Sequence, residues 1–73
     1  MPYDTNEELP LTVKAHLPAH AQDIFRETFN SAWRSYGHSQ PLEREEIAFR
    51  VAWAAVKKRY QKAGDVWVER QIP

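Results

Sequence analysis

Seventy-three residues without a cysteine exclude disulfide staples, thiolate zinc sites and cysteine nucleophiles, and fit a reducing compartment such as the cytoplasm. Ten basic side chains balanced by ten acidic ones argue against a polyanion binder that works through overall charge. A chain this short is expected to be a single domain over 1–73, with an N-terminal arm (1–8), a helical core (9–64) and an extended tail (65–73).

Three Trp, three Tyr and three Phe supply the large buried surfaces that a small unstapled domain needs. The charge is uneven along the chain. Asp4, Glu7, Glu8, Asp23 and Glu27 outweigh Lys14 and Arg26 over residues 1–30, whereas Lys and Arg are in excess from Arg34 onward. No apolar run approaches the roughly 20 residues needed to cross a bilayer. The start Met1-Pro2-Tyr3-Asp4 lacks the basic and apolar regions of a signal peptide, so the protein is expected to stay in the cytoplasm.

Pro10, Pro18 and Pro41 each precede a helix-like pattern, where a missing N–H costs nothing. The first helix, Leu11–Leu17, is too short to persist alone and should end before Pro18. Leu9, Val13 and Leu17 must hold it by tertiary contacts.

From Ala19 to Tyr36 the residues Ala21, Ile24, Phe25, Phe29, Ala32, Trp33 and Tyr36 recur at spacings of three and four, the signature of an amphipathic helix. Gly37 is expected to stop it in the left-handed conformation of a helix C-cap. The short loop Gly37–Gln40 then makes the third helix an antiparallel neighbour.

That helix should start near Pro41, with Glu43, Glu45 and Glu46 toward the positive end of its dipole. It should end near Ala63-Gly64, with Lys57, Lys58, Arg59 and Lys62 at the negative end. Its centre is apolar nearly all round. Ala48, Val51, Ala52 and Ala55 form a small face for the second helix, and Phe49, Trp53, Val56 and Tyr60 a face that needs another cover. Candidates for that cover are the first helix and the tail Val66–Arg70, whose β-branched and aromatic residues suit a strand. The strand is expected to pair with Pro2-Tyr3-Asp4. The predicted fold is mostly α: one short and two long antiparallel helices, with a minimal β pairing of the two termini.

Few constellations carry chemistry. His16 and His20 stand four apart with Asp23 beyond, but Pro18 separates them, so no metal site is expected. His20 is instead expected to bond to backbone or to Asp23. Glu45 with Glu46, or Asp23 with Glu27, would need a desolvated cleft to act as acid and base, and each pair falls on a solvated face. Ser31, Ser35 and Ser39 lack a nucleophile context, and two glycines in all make no phosphate loop. The chain therefore reads as a non-enzyme without a cofactor. The aromatic residues at helical spacing read as core, while Trp67 near the chain end suits two roles, pinning the tail down or forming an exposed anchor for a partner. Arg50, Lys57, Lys58 and Lys62, with Arg59 alongside, make the basic cluster best suited to an interaction surface, together with Trp67.

Leu9-Pro10, Val13-Lys14, Leu17-Pro18, His20-Ala21-Gln22-Asp23-Ile24-Phe25, Phe29-Asn30-Ser31-Ala32-Trp33, Glu45-Glu46, and Val51-Ala52-Trp53-Ala54-Ala55-Val56-Lys57 with Tyr60 occur in the order seen in the ChaB family. The chain resembles that family, whose members are described as cation transport regulators, from Met1 to about Tyr60. The loop 37–40 is shorter than the charged linker of related sequences, and the tail 66–73 is more apolar than their Lys-rich end. The resemblance implies a helical cytoplasmic domain that regulates a ChaA-type sodium or calcium/proton antiporter. The leading expectation is thus an adaptor that docks the basic face onto an acidic cytoplasmic surface of a membrane antiporter. The alternatives are a nucleic-acid-binding accessory domain using the same patch, and a homodimer formed through the third helix and the Trp67 strand. A monomer is the expected state.

Overall fold

A computed structural model of the chain describes residues 2–38 and 40–70. Three helices follow one another: α1 (Leu11–His16), α2 (Ala19–Ser35) and α3 (Pro41–Arg59). Two strands, β1 (Tyr60–Ala63) and β2 (Val66–Glu69), follow α3, and a 3-10 turn at Asn6–Glu8 precedes α1.

Pro10 and Pro18 stand just outside the helices they introduce, as N-caps, and Pro41 occupies the first turn of α3. α1 is pinned by Leu9, Val13 and Leu17, all buried, as a helix too short to nucleate by itself requires. Gln22 ties α1 to α2 by donating from Nε2 to the Leu17 carbonyl at 2.8 Å.

α2 and α3 run antiparallel, and their aromatic side chains show the register. His20 faces Tyr60, Phe25 meets Trp53 and Phe49, and Phe29 meets Phe49. At the loop end Arg44 lies 4.2 Å over the Trp33 ring, a cation–π contact. Ala21, Phe25, Phe29, Ala48, Ala52 and Val56 are wholly buried at 0 % exposure. The small face of α3 differs from expectation, because Val51 is exposed and Val56 takes its place in the core. The two helices meet along 48–49, 52–53 and 56, so one broad stripe does the work assigned to two faces.

Gly37 is not a left-handed cap: Gly64 is the glycine with positive φ among the described residues. A Cβ at Gly37 would stand 3.4 Å from an Arg44 guanidinium nitrogen. Its lack of a side chain leaves room for Arg44, whose Nε donates to the Trp33 carbonyl at 2.7 Å.

The expected pairing of the termini is replaced by a hairpin. β2 pairs antiparallel with β1 in the register Tyr60↔Glu69, Gln61↔Val68, Lys62↔Trp67, Ala63↔Val66. α3 therefore ends at Arg59, and not near Ala63-Gly64. The physical reason is the two-residue turn Gly64-Asp65: positive φ at its first position alone fits a type II′ hairpin turn, which closes the nearest strands first. Tyr60, buried, and Trp67, half-buried, face the helices, while Val66 and Val68 face outward. Val66–Arg70 thus covers the open side of α3, as expected, with a different partner. Residues 71–73 of the predicted tail and Ser39 of the loop lie outside the described residues.

Tyr3 finds its partner in Asn30. Asn6, one turn further on, donates to Asp23 at 2.6 Å and accepts from Arg26 Nε at 2.7 Å. Polar side chains of α2 thus fasten the arm.

Candidate interaction site

α3 passes into β1 without a loop, so the hairpin folds back over the last turns of α3 and meets the end of α1. Among the described residues, three hydrogen bonds hold it. Arg70 N–H donates to the Arg59 carbonyl at 2.8 Å, and Arg70 Nε donates to the Lys57 carbonyl at 2.7 Å. These satisfy two carbonyls that the end of a helix leaves open. At the hairpin tip, His16 Nδ1 lies 2.9 Å from the Asp65 carbonyl. A carbonyl oxygen only accepts, so the proton of this bond sits on Nδ1.

Between these elements lies a cleft of about 390 Å³ lined by His16, Trp53, Lys57, Lys62, Asp65 and Trp67. Trp53 and Lys57 are one turn apart on α3, and Lys62 and Trp67 are cross-strand partners. The Trp53 and Trp67 rings stand 5.6 Å apart at 41°, and both remain half-buried.

Of the residues expected on the interaction surface, Lys57, Lys62 and Trp67 converge here. Lys62 does so from a strand, and not from the helix on which it was placed. Arg50 and Lys58 do not. Arg50 bonds Glu46 at 3.1 Å across an exposed turn, a pair of little energetic weight. Lys58 is exposed and turned about 100° from Lys57 around the helix. The ion pairs among the described residues are Arg26–Asp23 and Arg50–Glu46, so Lys57, Lys58 and Lys62 have no described carboxylate within pairing distance.

His16, Trp53 and Asp65 were not expected at this site. The sequence places Trp53 with the core aromatics and His16 apart from the basic face. Gly64-Asp65 between two apolar stretches is a hairpin signal, and reading it would have brought Asp65 and Trp67 back over α3.

The other candidates are dispersed. His20 tilts against Tyr60 at 6.4 Å and not toward Asp23, whose oxygen is taken by Asn6. Among the described residues, no three His, Cys, Asp or Glu side chains gather as a metal ligand set. Glu27 and Glu46 are exposed, and Asp23 and Glu45 half-exposed, so none is desolvated as an acid–base pair requires. No described helix is long and apolar enough to cross a membrane.

The ChaB family model matches residues 9–70. The chain is 52 % identical over 69 residues to a protein of Escherichia coli K12 named "Putative cation transport regulator ChaB", covering 89 % of this chain and 91 % of the relative. Proteins of the same name from Escherichia coli O157:H7 and Shigella flexneri match with the same identity and coverage. A solved structure, "NMR solution structure of the putative cation transport regulator ChaB", superposes with a TM-score of 0.86 at 48 % identity. It covers 96 % of this chain and 100 % of that one.

Proposed function

The chain belongs to the ChaB family, and from that premise we propose that it is a non-enzymatic regulator of cation transport that acts by docking a protein partner. The observation that carries this reading is the name, cation transport regulator, of relatives that share half of its residues. The partner we assign is an acidic cytoplasmic surface of a ChaA-type membrane antiporter. The docking surface is the C-terminal end of α3 with the hairpin: Lys57, Lys58, Lys62 and Trp67, with Arg50 at its margin. Exposed Lys57, Lys58 and Lys62, which have no carboxylate partner among the described residues, support an encounter steered by opposite charge, and Trp67 beside Lys57 and Lys62 supplies the anchor common at interface centres. The protein acts as one domain and as a monomer in the cytoplasm.

The test is a pull-down with the antiporter's cytoplasmic loops. Wild type is retained, and reversal of Lys57 and Lys58 to Glu releases it. Retention of neither, or equal retention of both, removes the reading.

A further inference from the structure

We infer that the cleft between the end of α1, α3 and the hairpin binds a small organic anion made of a flat apolar ring and one carboxylate or phosphate group. This goes beyond the docking reading and stands whether or not a protein partner is bound.

The walls divide the recognition into two parts. Trp53 and Trp67 pack on each other at 5.6 Å, too close to admit a ring between them, yet each is half-buried and lines the cleft. That leaves an indole wall against which a flat ring can lie. Lys57 and Lys62 line the same space and lack carboxylate partners among the described residues. Asp65 adds one negative charge to the lining, so the cleft keeps a net positive balance, and its excess ammonium is free for an anion.

The size agrees. About 390 Å³ falls in the lower part of the range typical of small-molecule pockets. The walls are also fixed in place, because His16 and Arg70 fasten the hairpin at its tip and its end. A wall held before the ligand arrives lowers the ordering cost of binding. The ring and the anionic group thus have separate counterparts in one cleft. Carboxylate and phosphate share this chemistry.

Indole-3-acetate and phenyl phosphate are the probes, with 3-methylindole lacking the charge and acetate lacking the ring. Each is titrated into the whole chain while the three indole N–H signals are followed by NMR. At least one of the two aromatic anions shifts Trp53 and Trp67 saturably at millimolar concentration. Trp33, under Arg44 at the far end of α3, stays in place. The neutral ring and acetate bind more weakly, and K57E/K62E weakens the anion about tenfold. Both lysines are exposed, so the variant keeps its fold, and K57Q/K62Q falls between it and wild type.

Absence of a saturable shift from both aromatic anions overturns the proposal. So does equal binding of 3-methylindole, or full affinity in K57E/K62E. If the probes bind while the antiporter loops do not, the cleft assignment holds and the docking reading fails; the reverse result separates them the other way.

Discussion

The side-chain amide of Asn30 serves Tyr3 as a neighbouring strand would: Oδ1 accepts the Tyr3 N–H at 2.8 Å and Nδ2 donates to the Tyr3 carbonyl at 2.8 Å. One residue of α2 thus satisfies both backbone groups of a residue 27 positions away and seats its ring 4.8 Å from Phe29. Asn30→Ala leaves both groups without their partner and removes the contact that positions the ring. The expected loss is about 1–2 kcal/mol, read by denaturant unfolding, with faster amide exchange confined to residues 2–8. A loss spread evenly over α2 and α3 contradicts this assignment.

Ala48 and Ala52 have no exposed surface, because these positions set how closely α3 approaches α2. Ala52→Leu adds volume where close packing leaves no void, and is expected to cost about 1–3 kcal/mol. Ala54→Leu, on the exposed side of the same helix, should cost almost nothing. Paired melting curves of the two variants check the difference.

Gly64, at φ +66°, has open space around the position of a Cβ. Replacement by Ala therefore meets backbone strain without collision, and should cost about 1 kcal/mol. Gly64→Asn, which tolerates the left-handed region better, should recover part of the loss. Exchange protection at Tyr60–Ala63 and Val66–Glu69 reports the change.

The pKa of Tyr60 is raised above the usual tyrosine value by burial, and then by Glu69 opposite it on β2, with Arg59 opposing. Burial also raises Tyr3, with Glu45 adding to the effect. A phenol loses a neutral proton-bearing form on ionising, so a raised folded pKa means that the folded state holds the proton more tightly. The corresponding stability is complete below the unfolded value of about 10 and is lost as pH rises through the folded value. Unfolding free energy should therefore fall above about pH 10, and fall less steeply in Tyr60→Phe. An identical alkaline slope in both proteins excludes Tyr60 as the source.

α2 was legible because its apolar spacing of three and four records burial directly: Ala21, Phe25, Phe29 and Ala32 are the buried positions of Ala19–Ser35. Leu9, Val13 and Leu17 were legible for the same reason. The end of α3 was not, since Gln61-Lys62-Ala63 favours helix and Ala63-Gly64 imitates a helix stop. What overrides them is Tyr60, drawn into the core, and the turn that brings Trp67 onto Trp53. The clamps Asn30–Tyr3, Asn6–Asp23 and His16–Asp65 join residues 17 to 49 positions apart, and no local periodicity encodes such pairs. The candidate site was legible in half. Lys57, Lys62 and Trp67 came from charge and aromatic content, whereas their cleft arises from a hairpin that the local pattern disguised.

The direct passage from Arg59 to Tyr60 makes the hairpin a crank set on the shaft of α3. Each residue of an α-helix advances the shaft by about 100°, so a single deletion between Trp53 and Arg59 would swing the crank by about that angle and part the two indoles. Spacing in that stretch is therefore fixed by angle, as the sum of the turns between one indole and the other.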